Sequence, residues 1–329
     1  MGNLRYVSLA LGFLSFFGIA HAEGDTKLTK VRLGVNTVAS HAALVVGAQE
    51  GIFRKYGFDV EVLPLASGAQ SIQALAANQV DWAGAGIEST VVAWATKLPV
   101  KAYAMYARGG DSYGILVRQD RGIQTPADLR GKTVAVPTGT APDQGLAQLL
   151  KKANVPPNSL KRINASFGNM GQMLVQGSVD AMVGVEPFLT LTEEAAVGKT
   201  KMLTRLGKEV QGGGFLSITD AWAKAHPSEL ESVVAALAES QRWVREHSTE
   251  AAKIHAEFLK VEPRYVEAAF ARLQFAFTAD DFTRKSLVNT IDYQAEAGLI
   301  PTKPDVEMEL KESDTIDAAL REKSPDLFR

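Results

Sequence analysis

The chain lacks cysteine altogether across its 329 residues. This absence excludes disulfide bonds, thiolate metal sites, a cysteine nucleophile and a lipid-modified cysteine. The stability of the fold must therefore come from a packed core. A chain of about 300 residues buries roughly three quarters of the surface that its unfolded form exposes, and it typically does so in two domains.

An excess of charge of one sign is also missing. The chain has 35 Lys and Arg residues against 37 Asp and Glu residues, and the basic residues form no run, so nucleic acid is not an expected partner. The five histidines include no His-Glu-x-x-His pattern, and the sequence has neither a Gly-x-Ser-x-Gly elbow nor a phosphate-binding glycine loop. We expect no metal, no cofactor and no catalytic centre, which favours a binding protein over an enzyme.

Long hydrophobic runs are scarce outside the N-terminus. Residues 6–20 are uncharged and largely apolar, follow Arg5, and end in the small-x-small triplet Ala20-His21-Ala22. The run is too short for a membrane-spanning helix and is typical of a secretory signal. We predict a signal peptide over 1–22, cleavage after Ala22 and a periplasmic mature protein.

What the sequence does contain is a regular alternation of short β-rich runs and longer amphipathic segments between residues 30 and 206. This alternation indicates β-α units that build mainly parallel sheets, so the predicted fold class is α/β. Strands are predicted at 31–35, 58–63, 82–85, 101–106, 115–117, 133–136, 161–165, 181–185 and 201–204. Helices are predicted at 42–50, 69–77, 89–95, 143–152, 170–176 and 188–197. After Thr219 only helices are predicted, at 229–246, 250–259, 263–271 and 281–297, followed by a polar tail.

Two parts of the chain resemble each other. The strand and hydroxyl-rich turn at 30–39 match those at 131–140, and four residues recur 99 positions later: Gln73, Leu75, Val80 and Asp81 as Gln172, Leu174, Val179 and Asp180. Any two β-α-β units look somewhat alike, but identities at one constant offset favour two similar lobes. We predict lobe 1 at 28–112 plus 215–329, lobe 2 at 115–211, and hinges near 112–115 and 211–215. The glycines beside both hinges would absorb backbone rotation, although such a run is also typical of a flexible loop.

In an open α/β sheet, ligands bind beyond the carboxyl ends of the strands, where helix N-termini carry partial positive charge. Four donor-rich turns fall there, at 36–41, 84–89, 138–142 and 184–188, and such turns suit a carboxylate, sulfonate or nitrate. The candidate ligand-binding residues in these turns and at the two crossings are Asn36, Thr37, Ser40, His41, Gly86, Glu88, Ser89, Tyr113, Thr138, Gly139, Thr140, Glu186 and Phe215.

Each candidate also has a purely structural interpretation. The hydroxyl residues could cap helices, and the two glutamates could either orient an amine on the ligand or complement a helix N-terminus. His41 could contact an anion or lie at the surface. These alternatives stay open at the level of sequence.

Four segments, 51–61, 80–84, 128–136 and 179–187, resemble in this order the periplasmic substrate-binding proteins of nitrate/sulfonate/taurine-type ABC importers, which have relatives that bind thiamine-pyrimidine precursors. The resemblance implies a bilobed type II periplasmic binding protein fold with two mixed, mainly parallel sheets, helices on their faces and two crossovers. It also implies that a small-molecule ligand contacts the four turns and that a monomer delivers it, by lobe closure, to an ABC permease and ATPase.

The same resemblance suggests a small organic anion as ligand, with a sulfonate or taurine-like compound favoured. A thiamine-pyrimidine precursor and an aromatic carboxylate are alternatives. If Glu88 faces the site, it would repel a bare anion, whereas an amine or a heteroaromatic ring would be compatible with it. Desulfinases resemble this fold as well, but they use a cysteine nucleophile and this chain has none.

Overall fold

The computed structural model describes residues 28–275 and 280–328, so the predicted signal peptide lies outside it. Among these residues, no helix combines the length and the apolar character that crossing a membrane requires. The strands are β1 (Thr29–Asn36), β2 (Phe58–Leu65), β3 (Trp82–Gly86), β4 (Val100–Ala107), β5 (Tyr113–Arg118), β6 (Thr133–Ala135), β7 (Lys161–Ile163), β8 (Ala181–Val185), β9 (Thr200–Arg205) and β10 (Gly214–Thr219). The α-helices are α1 (Ala42–Gln49), α2 (Ile52–Lys55), α3 (Gly68–Ala76), α4 (Ile87–Ala95), α5 (Ala141–Lys152), α6 (Phe167–Gln176), α7 (Phe188–Ala195), α8 (Asp220–Ala225), α9 (Leu230–Glu246), α10 (Ser248–Leu259), α11 (Pro263–Phe270), α12 (Asp281–Glu296) and α13 (Val306–Lys323).

The strands form two sheets of five, in the orders β2-β1-β3-β10-β4 and β7-β6-β8-β5-β9. In each sheet four strands run in one direction, and the fourth strand in the order, β10 or β5, is antiparallel to both neighbours. Helices cover both sheets, and the prediction of an α/β fold with two mixed, mainly parallel sheets is confirmed. We call the first sheet with its helices lobe 1 and the second lobe 2.

The chain crosses between the lobes twice, through residues 108–112 and 206–213, and each crossing delivers the antiparallel strand of the sheet it enters. Strand β10 is absent from the strands predicted by sequence, which had only a glycine-rich crossing and then helices in this region. All six of its residues are buried, so the run lacks the alternation that marks a half-exposed strand.

Close packing explains two of the glycines at the second crossing. A Cβ atom on Gly212 would lie 2.3 Å from the Tyr113 ring, and one on Gly214 would lie 2.0 Å from the Tyr106 hydroxyl. Real Cβ atoms do not approach other atoms so closely. Glycine is therefore required at these two positions, because each tyrosine side chain packs directly against the backbone there.

The repeated aspartates occupy equivalent places in the two lobes. Asp81 precedes β3, and its carboxylate accepts the backbone N–H of Arg32 in β1 at 2.8 Å. Asp180 precedes β8 and accepts the backbone N–H of Thr133 in β6, also at 2.8 Å. Each aspartate thus fixes the start of a central strand against its neighbour, which gives the internal repeat a structural reason.

Strand β4 is an edge strand whose register against β10 slips twice, leaving Tyr103 and Tyr106 without a residue opposite them. Such irregularities bend a strand and re-aim its side chains. Helices supply partners for the backbone carbonyls there: the buried amide of Gln241 in α9 donates to the carbonyls of Met105 and Tyr106 at 2.9 and 2.8 Å, and Ser313 donates to that of Tyr103 at 2.7 Å. Buried carbonyls need partners, so these contacts satisfy an edge that would otherwise be exposed.

The polar tail predicted after Ala297 is wrong. Residues Val306–Lys323 form the helix α13, which packs on β4 through Leu310, Ser313 and Leu320. The buried face of α13 is narrow and includes the polar Ser313, which hydrogen bonds with a strand carbonyl. The helix therefore shows little of the apolar periodicity by which a helix is recognised in a sequence.

The Gln241 contact leads to a test of stability. Gln241→Leu leaves two buried carbonyls without this donor but also removes its own unpaired buried Oε1, and each such group costs about 1–3 kcal/mol, so we expect the free energy of unfolding to fall by about 1–3 kcal/mol. Ser313→Ala leaves one carbonyl without its donor and should cost a similar amount. Urea unfolding of the three proteins measures both changes, and a Gln241→Leu protein as stable as the parent would contradict this role.

Candidate ligand-binding site

The site is a cavity of about 80 Å³ between the lobes, at the carboxyl ends of the central strands. Lobe 1 contributes the ends of β1 and β3 and the starts of α1 and α4, and lobe 2 contributes the starts of α5 and α6 and the end of β8. The lining residues are Asn36, Val38, Ser40, His41, Gly68, Gly86, Glu88, Ser89, Tyr106, Tyr113, Thr140, Ala141, Pro142, Phe167, Val185 and Gly213. The cavity therefore draws walls from both halves of the chain.

Eight of the candidate residues from the sequence line this cavity. They are Asn36, Ser40, His41, Gly86, Glu88, Ser89, Tyr113 and Thr140. The other five, Thr37, Thr138, Gly139, Glu186 and Phe215, are not among its walls. Five lining residues that were not nominated still belong to the turns and crossings named from sequence: Val38, Ala141, Pro142, Val185 and Gly213.

Three lining residues, Gly68, Tyr106 and Phe167, lay outside every named turn. Each nevertheless lies at or just beyond the carboxyl end of a strand: Gly68 comes after β2, Tyr106 is the second-to-last residue of β4, and Phe167 comes after β7. The strand-end rule applied to every strand, rather than to the hydroxyl-rich turns alone, would have found them.

Two candidates outside the cavity, Glu186 and Phe215, make contacts within the protein instead. The carboxylate of Glu186 forms an ion pair with Arg205 at 2.7 Å and accepts hydrogen bonds from the backbone and hydroxyl of Thr190 at 3.1 and 2.9 Å. Phe215 is fully buried in a hydrophobic cluster that includes Ile87 and Met105. Both side chains serve the structure around the site instead of forming its surface.

The lobe 2 turn also uses part of its hydrogen-bonding capacity internally. The backbone N–H of Thr138 donates to Asn164 at 3.1 Å, and that of Gly139 donates to Asp143 at 2.9 Å. The Thr140 hydroxyl donates to the carbonyl of Pro137 at 2.7 Å. What this turn presents to the cavity is the N-terminus of α5, at Ala141, with its partial positive charge.

His41 lies at the start of α1 with only 1% of its surface exposed. Burial, together with the neighbouring His255, lowers the pKa of His41 to about 3, and the backbone of Gly84 offsets this only in part. Its ring packs 4.7 Å from the Tyr106 ring. Neither ring nitrogen makes a hydrogen bond of normal geometry. The imidazole is therefore neutral near pH 7 and offers one donor and one acceptor rather than a charge.

Glu88 lies in the first turn of α4 and is 5% exposed. Burial raises the pKa of its carboxyl group to about 7, partly offset by its own backbone N–H. Its Oε1 atom has no hydrogen-bond partner among residues 28–275 and 280–328. Glu88 also raises the pKa of Tyr106 and Tyr113, for which burial is the larger cause. The cavity thus contains a carboxyl group that changes charge near neutral pH.

A second, larger cavity of about 660 Å³ is lined by residues of lobe 1, mainly from α9, α11 and the segment 271–275. Its walls include Val244, Phe270, Phe275 and Phe328. Because all of its walls belong to lobe 1, it lacks the two-lobe construction of the smaller cavity. We assign the candidate site to the smaller cavity.

These features define a bilobed α/β protein with an interlobe cavity. The pattern of the family described as NMT1/THI5-like matches residues 38–251, and the chain belongs to this family. The chain is 26% identical over 314 residues to a "Putative aliphatic sulfonates-binding protein" of Bacillus subtilis, with 93% of both chains covered. It is 23% identical over 239 residues to the taurine-binding periplasmic protein of Escherichia coli, covering 71% of this chain and 69% of that one.

Solved structures share the fold. The periplasmic aliphatic sulphonate binding protein SsuA of Escherichia coli matches with a TM-score of 0.74 at 18% identity, over 87% of this chain and 99% of that chain. A mutant of DSZB in complex with biphenyl-2-sulfinic acid matches with a TM-score of 0.70 at 15% identity, over 88% and 99%. The resemblance inferred from sequence, to sulfonate- and taurine-binding periplasmic proteins, is confirmed.

The pKa of Glu88 predicts how stability depends on pH. Because burial raises this pKa from 4.5 to about 7, the carboxyl group favours the folded state fully below pH 4.5, and that contribution is lost as the pH rises to about 7. Glu88→Gln removes the titration, so its advantage over the parent should grow by about 1–3 kcal/mol between pH 4.5 and pH 8.

Urea unfolding at the two pH values measures this difference. The lowered pKa values of His41 and His255 remove stability as the pH falls below 6.5, but they do so in both proteins and cancel in the comparison. A stability difference between the two proteins that stays constant with pH would contradict the raised pKa of Glu88.

Proposed function

We propose that this protein is the periplasmic solute-binding component of an ABC importer and captures a small organic anion, a sulfonate or taurine-like compound, between its lobes. The observation that carries the proposal is the cavity itself, whose walls come from both lobes and include the starts of α1, α4 and α5. Helix N-termini and hydroxyl donors stabilise an anion without a full opposing charge. The names of the relatives support the same class of ligand.

Lobe closure is the proposed mechanism of capture. The lobes touch on two sides of the cavity. On one side the buried hydroxyl of Thr290 in α12 donates to the Gln144 side chain in α5 at 3.0 Å. On the other, Tyr265 and Arg264 in α11 donate to Glu194 in α7 at 2.9 and 2.8 Å. A ligand that contacts both lobes would favour the arrangement in which these contacts form.

A thiamine-pyrimidine precursor or an aromatic carboxylate is the second candidate ligand. Three rings line the cavity, those of Tyr106, Tyr113 and Phe167, and Phe167 stacks on Phe188 with 6.3 Å between ring centroids. Aromatic walls suit a flat ring. The enzyme alternative, a desulfinase-like activity, is disfavoured because the sequence has no cysteine to act as nucleophile.

The partners and location follow from the same proposal. Export would be directed by residues 1–22, the mature protein would act as a monomer in the periplasm, and a permease with its ATPase would receive the ligand. Lobe 1 is expected at 28–112 plus 215–329 and lobe 2 at 115–211, with rotation at hinges near 112–115 and 211–215.

Thermal melting of ligand-stripped mature protein tests the proposed function. The panel contains taurine, ethanesulfonate, nitrate, an aromatic carboxylate and hydroxymethylpyrimidine, with glycerol as a neutral control. A ligand at a hundred times its Kd adds about 2.7 kcal/mol to stability, a rise of several degrees in Tm. A rise with a sulfonate supports the proposal, a rise with the pyrimidine alone supports the second candidate, and no rise with any anion contradicts anion capture.

Thr290→Val tests lobe closure. The change keeps the side-chain shape but removes the interlobe hydrogen bond, which is worth about 1 kcal/mol, so we expect the affinity for the ligand found above to fall about fivefold by calorimetry. Thr302→Val is the matched control, because its hydroxyl bonds to Ala95 within lobe 1. Equal affinities for the two variants would show that the Thr290 contact is not part of the ligand-bound state.

A further inference from the structure

The walls of the cavity include buried polar atoms of Glu88 and His41 that are not well paired within the described part of the chain. Oε1 of Glu88 and both ring nitrogens of His41 are without hydrogen bonds of normal geometry. The two residues are 5% and 1% exposed. An unpaired buried polar group costs about 1–3 kcal/mol, so such groups in a wall of a cavity point to a ligand with complementary atoms.

The charged groups in the walls of the cavity do not favour a ligand that is only an anion. Its walls, all within the described part of the chain, include no lysine and no arginine, whereas they include the carboxyl group of Glu88. The donors available to an anion are neutral: backbone N–H groups at helix starts, hydroxyl groups and a neutral imidazole. Above about pH 7, where Glu88 is mostly ionised, a ligand that is only an anion would meet this carboxylate without compensation, which is unfavourable in a buried site.

Among the described residues, none that lines the cavity offers Glu88 a counter-charge. Tyr106 in β4, Tyr113 in β5 and Tyr293 in α12 are the titratable groups that interact with its carboxylate, and His41 shares the cavity. The tyrosines are neutral near pH 7, because burial raises their pKa values, and His41 is neutral because burial lowers its pKa. Aromatic ring faces and a carboxylate together form a favourable environment for an ammonium group.

We infer that Glu88 selects ligands that carry an ammonium group, so that the cavity takes a zwitterionic amino-sulfonate in preference to the same sulfonate without the amine. The inference rests on the proposed function and adds to it the residue that determines specificity. The ammonium group lies against Glu88 on the lobe 1 side, and the sulfonate group meets the start of α5 on the lobe 2 side. One short molecule then satisfies the unpaired Oε1 and bridges both lobes.

Calorimetric titration with taurine and ethanesulfonate tests the inference, because the two probes differ only in the amino group. We expect the parent protein to bind taurine at least tenfold more tightly. In Glu88→Gln, which keeps the shape but removes the charge, taurine should weaken and ethanesulfonate should tighten until the ratio approaches one. Glu61→Gln, an exposed carboxyl group on β2, is the control for a general charge effect and should leave the ratio unchanged.

A pH series separates a binding role from a structural one. An ammonium ligand binds the ionised carboxylate, so taurine affinity in the parent should rise about fivefold from pH 6 to pH 7 and about twofold more by pH 8, with release of a proton on binding. The affinity of Glu88→Gln should not change over this range. If that variant does not fold, the taurine-to-ethanesulfonate ratio and the pH profile of the parent decide the question.

The titrations distinguish failure of ammonium selection by Glu88 from failure of sulfonate capture. If the parent binds ethanesulfonate as tightly as taurine, or if Glu88→Gln keeps the parental ratio, selection of the ammonium group by Glu88 is wrong and sulfonate capture stands. If the parent binds neither probe, the sulfonate assignment and the inference fall together.

Discussion

The two crossings are the constraint on which the rest of the structure depends. Each sheet receives one antiparallel strand from the chain that has just left the other sheet, so neither lobe can complete its sheet alone. Because the crossings lie next to the carboxyl ends of the central strands, they hold the four strand-end turns face to face. The position of the cavity is thus a consequence of connectivity, and Tyr113, Gly213 and Tyr106 at the crossings become part of its walls.

The chemistry of the cavity follows from burial between the lobes. Water would hydrate Glu88 and His41 on an open surface and keep their pKa values ordinary; in the cavity, desolvation makes both charged forms costly. The candidate site therefore presents helix N-termini and neutral donors, with one carboxyl group whose pKa is near 7. This arrangement favours a compact ligand whose own charges are balanced.

The sequence was informative about the site to the extent that local pattern determines position. Strand-end turns are recognisable because a β-rich run, a small-residue turn and a helix follow one another, and this pattern led to His41, Glu88 and Thr140. It did not show that the Glu186 side chain turns toward Arg205, or that Phe215 faces the core, because the direction of a side chain in a turn or a buried strand depends on residues far away in the chain.

By itself, the sequence determined the α/β class and the strand-end turns that line the interlobe cavity, since periodicity and turn chemistry act over a few residues. Only the tertiary structure decided that β10 is inserted between β3 and β4, that α13 satisfies the β4 carbonyl groups, and which turn residues face one another. It also decided that Glu88 is desolvated. Burial, register across a sheet and electrostatic environment arise between segments that are distant in sequence, and no local pattern encodes them.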